Sequence, residues 1–492
     1  MSNMLEKARK YEAEKLAHTD PEQKPLFHVA APAGWINDPN GFSVYKGKIH
    51  LFYQYHPYQK EWGPMHWGHS ATTDMIDWEQ LPAALAPDQE YDQIGCFSGS
   101  AIEADGKHVL VYTGVSKVKL EDGSEQERQN QCIAFGDGKD YVKYEKNPVV
   151  TGDMLPENCS RVDFRDPKIW KERDTYYLMV GSKDQHQVGQ VVLCSGKDLK
   201  TWKFETILAR NETGKIGTMW ECPDFFPLGN QHVLICSPVN MKAEKYEFHN
   251  GNNSIYFLGD YDSDTHSFRK GEAHEIDYGM DFYAPQTTEL PDGRRILIAW
   301  MKSWDACVIP DTQDWQGMMT LPRELELKDG RIWQSPVREI QKYHQNSCRY
   351  DRIEIDGRTT LEDIKGRTVD LEVTLEEGDF TVFSIKLAAD GEYETSFTYH
   401  KERRLLEIDR TYCGVTKDIN CVRRIRIADP KGLKKMRFIL DRQSVELFMN
   451  DGQQTATTAI CTPLNAEDIY FCSDSKTVIS IQKYDIVIPA AK

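Results

Sequence analysis

The 492 residues carry 60 lysines and arginines against 77 aspartates and glutamates, a net charge of −17, with 40% hydrophobic and 28% charged residues. This is a globular composition long enough for two domains or three, and its acidic balance argues against a nucleic-acid or anionic-membrane partner. No apolar run reaches the roughly 18 residues of a bilayer span, and residues 1–18 are charged throughout, without the apolar centre of a secretory signal. A cytoplasmic location is the expectation.

The chain begins with a helical segment, residues 1–25, in which Met4 or Leu5, Ala8, Tyr11 and Leu16 fall near one face. Helical periodicity is scarce beyond it. Short β-rich runs bounded by Gly, Asp and Asn take over, and they repeat. Five times a leucine stands four residues after a turn residue: Gly47/Leu51, Gly106/Leu110, Asp174/Leu178, Asn230/Leu234 and Gly293/Leu297. A second mark keeps step with the first, an Asp four residues before an aromatic at Asp74/Trp78, Asp140/Tyr144, Asp198/Trp202 and Asp264/Phe268, with a looser fifth case at Asp329/Trp333. The interval of roughly 60 residues leaves room for four short strands, the size of a propeller blade. Residues 26–335 are therefore expected to form a five-bladed β-propeller; a long sandwich with accidental spacing is the competing reading. Residues 336–351 read as a connector with a short helical stretch. Residues 352–492 alternate strand and turn without the earlier period, which suits a β-sandwich. The fold class is all-β.

Counting back 12 or 13 residues from each leucine locates the chemistry. The positions reached are Asp38, Ser98, Asp166, Glu221 and Pro285. Matched offsets imply matched places on the strand that lines the central channel, so three carboxylates from three blades converge. Each is followed within two residues by a proline, which fixes backbone geometry. Convergent acids suit cleavage of a glycosidic bond: one carboxyl protonates the leaving oxygen and another attacks the sugar or activates water. Burial and mutual repulsion keep a proton on the acid. A third carboxylate holds hydroxyls and stabilises the positive charge that develops. Aromatic residues in or near these strands, Trp35, Trp62, Trp67, Phe97, Phe282, Tyr283 and Trp300, supply faces for a sugar ring.

Several residues have plainer readings. His66 and His69 are three apart without a clustered acid or cysteine, so a structural role is expected rather than a metal. Ser98 lacks the elbow of a serine nucleophile and suits hydroxyl recognition. Cys222, beside Glu221 on a strand, is expected to face away and pack. The 12 cysteines show no C-x-x-C pair and read as reduced, mostly buried thiols. The basic stretches at 423–426 and 431–435 read as solvated strand edges.

At this point the residues resemble glycoside hydrolase family 32, the invertase and β-fructofuranosidase group. Trp35-Ile36-Asn37-Asp38-Pro39-Asn40-Gly41 is similar to its N-D-P-N-G signature, Arg165-Asp166-Pro167 to its R-D-P motif and Glu221-Cys222-Pro223 to its E-C-P motif. Residues 51–57, 67–69, 97–100, 281–286 and 321–325 also fit. The resemblance implies a propeller plus sandwich and a retaining mechanism acting on a small fructoside. Asp38 would be the nucleophile, Glu221 the acid and then the base, and Asp166 the stabiliser of the transition state. Asn37, Gln54, Trp62, Phe97, Ser98 and Arg165 would line the fructose subsite, with Trp35 and Trp300 as further aromatic contacts. Retention implies Asp38 and Glu221 carboxyls roughly 5–5.5 Å apart. No metal or organic cofactor is implied, and no nucleic-acid or membrane partner. The face of the sandwich leaves room for a second copy of the chain. His56 departs from the family pattern, where Asn commonly precedes the proline.

A fructosyltransferase, a fructo-oligosaccharide hydrolase, a fructan-binding protein without catalysis and a propeller hydrolase acting on arabinosides are the rival readings. A cytoplasmic setting favours sucrose 6-phosphate alongside sucrose as the substrate.

Overall fold

In the computed structural model, which describes residues 2–304 and 313–489, every marker leucine lies on the second strand of an antiparallel sheet. Leu51, Leu110, Leu178, Leu234 and Leu297 are all fully buried. The residues ahead of them make the hairpin from the first strand. Gly47, Gly106 and Gly293 sit at φ of 76°, 70° and 86°, a region glycine enters without a Cβ clash. The second mark falls on the turn between third and fourth strands. Asp74 accepts hydrogen bonds from the amides of Ile76 and Asp77, and Asp198 from those of Lys200 and Thr201. Asp329 occupies the matching turn of the fifth sheet, between Arg323–Lys328 and Arg331–Pro336, so the looser fifth case belongs to the series.

The first strands of the five sheets are Gly34–Tyr45 (β1), Gly95–Ala104 (β2), Cys159–Glu172 (β3), Met219–Leu228 (β4) and Tyr283–Glu289 (β5). Each packs on the next, and β5 packs back on β1. The sheets thus close into a five-bladed propeller whose first strands line the axis. The seam is sewn by a segment inserted between the second and third strands of the fifth blade. Trp315–Gln316 pairs in parallel with Gly34 and Trp35. Met319 N–H donates to Val29 O at 2.7 Å and Ala31 N–H to Gly317 O at 3.2 Å. Gly317 has φ of 91°, and a Cβ there would lie 2.1 Å from Ile36 O, so the seam closes only over glycine.

The N-terminal helix, Asn3–Leu16, docks on the outer strand Glu79–Leu85 of the first blade. It buries Leu5 and Ala8, as expected, together with Glu12, and half-buries Tyr11, while Leu16 stays exposed, so the buried face differs from the expected one at its C-terminal end. The reason is a polar clamp that periodicity does not reveal. Glu12 accepts from Ala83 N–H and Arg9 Nε donates to Ala83 O, both at 2.8 Å. The helix thereby satisfies an edge strand that would otherwise be open.

After a 3-10 turn, Arg338–Tyr343, the chain enters the second unit. Its first strand, His344–Thr359, starts inside the stretch read from sequence as a connector. That strand is mostly exposed and lacks the alternation that marks a half-buried strand. It pairs along the 19-residue strand Asp468–Ile486, which also pairs with Val369–Gly378 and Val382–Ala389 and so joins the two layers of a sandwich. Buried ions tie sandwich to propeller. Arg323 reaches Asp277 at 2.8 Å and Glu446 at 2.5 Å; His28 lies between Asp441 and Glu446, 2.8 Å from each; Arg410 meets Asp281. None of the 11 cysteines among the described residues is in a disulfide; Cys307 lies outside them.

Candidate active site

All five first strands break register at the same height. The shifts lie between Ile36 and Pro39, Phe97 and Gly99, Arg165 and Lys168, Glu221 and Asp224, and Tyr283 and Gln286. Such bulges interrupt the alternation of a strand and re-aim side chains. Asp166, Cys222 and Ala284 stand there at φ of 66°, 47° and 51°. Pro167, Pro223 and Pro285 fall inside the bulges, where the ladder asks for no amide donor. Neighbours in sequence thus reach one site: Asn37 with Asp38, Arg165 with Asp166, Glu221 with Cys222.

Asp38 Oδ2 accepts from the Ser98 hydroxyl at 2.6 Å, and Oδ1 from Asn37 Nδ2 at 3.0 Å. Asn37 is itself held by Trp35 Nε1, which donates to its Oδ1 at 2.8 Å. Asp166 Oδ2 accepts from Cys222 N–H at 3.0 Å, and the Asp166 amide donates to Thr113 Oγ1 at 2.9 Å. Glu221 is gripped at both oxygens. Arg165 donates to Oε1 from Nη2 at 2.7 Å and from Nε at 3.1 Å, and Tyr283 donates to Oε2 at 2.6 Å. The Cys222 sulfur touches Asp38 Oδ2 at 3.5 Å and Asp166 Oδ2 at 3.7 Å. Three acids from three blades therefore meet around one thiol.

Burial pushes the Asp38 carboxyl above its ordinary range, against the Ser98 and Asn37 bonds, and the nearby Glu221 charge adds to the rise. Asp166 is raised to about 7, first by burial, with Arg165 opposing and Glu221 and Asp38 adding repulsion. Trp35, Met65, Cys222, Tyr283, Ala284 and Trp300 form a continuous apolar base, with Phe97 packed against it.

The expected residues take different parts. Asn37, Ser98 and Arg165 bond directly to the acids, as given above. Trp62 is 46% exposed and meets Phe97 edge-on, ring centroids 5.7 Å apart. Gln54 is buried on the second strand of the first blade and donates to Cys96 O. Trp300 is fully buried, packed edge-on against Trp35 at 5.8 Å, so it backs the site rather than presenting a surface. Cys222 corrects the expectation that it faces away: the bulge turns its sulfur inward. His56 bonds Glu61 O through Nδ1 at 2.9 Å and steadies the loop that carries Trp62. His66 and His69 diverge, His66 to Pro64 O and His69 to His50. Thr113 and the Tyr283 hydroxyl escaped sequence reasoning as partners of the acids. The tyrosine is visible in its motif, but a hydroxyl's target is not written in spacing.

Convergent carboxylates, a gripping arginine and an aromatic surround at the axis of a propeller define a glycoside hydrolase. Two family descriptions cover nearly the whole chain: "Glycosyl hydrolases family 32 N-terminal domain" over residues 28–336 and "Glycosyl hydrolases family 32 C terminal" over 339–486. The chain belongs to glycosyl hydrolase family 32. It is similar to raffinose invertase of Escherichia coli, 39% identical over 89% of both chains, and to a sucrose-6-phosphate hydrolase of Escherichia coli, 37% identical over 89% of both. Its structure resembles that of a Bombyx mori family 32 β-fructofuranosidase, with a TM-score of 0.85 and 34% identity over 99% of each chain. A mutant of that enzyme in complex with sucrose superposes with a TM-score of 0.84, again at 34% identity over 99% of each chain.

Proposed function

We propose that the protein is a retaining β-fructofuranosidase that hydrolyses the terminal β-D-fructofuranosyl bond of sucrose or sucrose 6-phosphate in the cytoplasm. The observation that carries this reading is the meeting of Asp38, Asp166 and Glu221, each at a bulge of a different blade, in a family that includes a relative named sucrose-6-phosphate hydrolase and a solved structure in complex with sucrose. Asp38 attacks the anomeric carbon of fructose, and Glu221 gives its proton to the departing glycosidic oxygen. Glu221 then takes a proton from water, which breaks the fructosyl–Asp38 ester and releases fructose. Asp166 holds fructose hydroxyls while positive charge develops at the ring. Ser98, Asn37 and Trp35 fix the nucleophile in line; Arg165 and Tyr283 fix the acid.

The test is kcat/KM on sucrose, sucrose 6-phosphate and a short fructo-oligosaccharide, for wild type and Glu221→Gln. The reading expects fructose release from the first two to fall by about 10³-fold or more, since a positioned acid contributes roughly 10²–10⁴-fold and leaving-group protonation is lost outright. Absence of fructose release from all three by the wild type would overturn it.

A further inference from the structure

Where the propeller meets the sandwich, a crevice of about 350 Å³ opens between the loop at 243–250 and the strand Val422–Arg426. Its walls carry Lys245, His249, Arg423 and Arg424, and Glu275 is the one carboxylate among them. On a chain of net charge −17 this is an unusual gathering of basic side chains. Arg424 is satisfied, its Nε 2.6 Å from Glu407. Arg423 is not. Its Nε is buried without a hydrogen-bond partner, and among the described residues the guanidinium joins no ion pair. Burial works to strip its proton, opposed mainly by the charge of Glu275. Arg423 is half-buried, and a guanidinium nitrogen closed off from water without an acceptor is costly; such a group in a native wall calls for a partner from outside.

The crevice is connected to the candidate active site through the chain. Ser303 lines it, and the next residue, Trp304, stacks on Trp35 with ring centroids 6.1 Å apart and planes at 23°. Trp35 holds Asn37, and Asn37 holds the nucleophile. Trp304 is 43% exposed, whereas Trp300, which it meets edge-on, is fully buried. An indole left open next to a sugar-cleaving site offers a flat face for a second ring.

We propose that the crevice is a phosphate subsite for the leaving group. The glucosyl ring of sucrose 6-phosphate lies against Trp304, and its phosphate enters to meet Arg423 and Lys245. A guanidinium fork matches the oxygens of a phosphate monoester, and an ammonium on an exposed loop adds a point charge. This rests on the β-fructofuranosidase reading and adds to it the structural basis for preferring the phosphorylated sugar.

The experiment compares kcat/KM on sucrose 6-phosphate and on sucrose for wild type, Arg423→Gln, Lys245→Ala and Trp304→Ala. The ratio of the two values should fall about ten- to a hundredfold in Arg423→Gln, the loss expected for a charged hydrogen bond, and by less in Lys245→Ala, mostly through KM. Trp304→Ala should raise KM for both sugars. Lys245 is on an exposed loop, so its variant reports even where Arg423→Gln folds poorly. Inorganic phosphate should compete with sucrose 6-phosphate. An unchanged ratio in both charge variants would overturn the subsite, as would a wild type with no preference for the phosphorylated sugar. Phosphate that alters kcat on sucrose without competing with sucrose 6-phosphate would assign the crevice to a free effector and overturn it too. Sucrose hydrolysis that is lost in Glu221→Gln keeps the catalytic reading standing in each of these cases.

Discussion

Ser98 on β2 donates its hydroxyl to Asp38 on β1, 2.6 Å away, so the proposed nucleophile of one blade is oriented by its neighbour. The bond favours the charged form of a carboxyl that burial pushes up. Ser98→Ala should therefore move the acid limb of kcat/KM to higher pH. About 1.4–3 kcal/mol for a hydrogen bond to a charged group corresponds to roughly one or two pH units. A pH–rate profile from 4 to 8 checks this; an unmoved limb would remove Asp38 from control of it.

Retention is testable by stereochemistry. With methanol present, the enzyme should yield methyl β-fructofuranoside, and crystallography should place the Asp38 and Glu221 carboxyls roughly 5–5.5 Å apart. The α anomer, or a gap wide enough for a water between the acids, would sink the assignment of Asp38 as nucleophile.

Arg323 is fully buried between Asp277 and Glu446. Arg323→Met leaves the buried Asp277 without its cation and Glu446 with His28 alone, which should lower stability by roughly 3–5 kcal/mol. Denaturant melts followed by fluorescence measure it. Replacement of a surface arginine such as Arg349, which meets the exposed Asp351, should leave the melt close to that of the wild type.

The N-terminal clamp predicts a smaller effect. Glu12→Ala strips the Ala83 amide of its acceptor and should cost about 1–3 kcal/mol, with kcat on sucrose close to that of the wild type. A thermal shift read beside an activity assay separates the two.

Stability should peak slightly below neutral pH. Burial alone would strip the His28 proton, but Asp441 and Glu446 raise its pKa from 6.5 to about 9. The folded state then binds the extra proton, and this stabilisation is present below about 6.5 and is lost as pH rises through about 9. His50 and His108 behave in the opposite sense. Burial lowers them to about 4 and about 3, so the unfolded chain binds more protons in acid, and stability is lost as pH falls from about 6.5. Melting temperatures from pH 4 to 10 should show both flanks, and His28→Asn should flatten the alkaline one.

The leucine period revealed the blades because each leucine answers the same packing demand on a second strand. The acids were legible through that period, with one refinement: Glu221 precedes its bulge, Asp166 is the first residue within its own and Asp38 the second. Spacing alone cannot see a one-residue shift of this kind, since a bulge is set by pairing across the sheet. The same blindness explains Cys222, whose inward turn depends on its φ of 47°. Strand His344–Thr359 was missed because its solvated side chains leave no alternation to read. On the helix, Leu5 and Ala8 were legible, but Glu12 was not, because Arg9 and Glu12 bond to the backbone of Ala83 and hydropathy registers such residues as exposed.

The acids Asp441 and Glu446 bear on how the ring is completed during synthesis. Asp441 takes the amides of Leu26 and Phe27, and Glu446 takes that of Leu321. Both flanks of the seam that joins blade five to blade one thus wait for residues made more than a hundred positions later. While the ribosome is still working through the sandwich, the join rests on its own pairing alone, without the acids that take the amides of Leu26, Phe27 and Leu321. A nascent chain arrested before residue 441 would carry a join held more weakly than the finished one, and the sandwich supplies the last fastening of the ring.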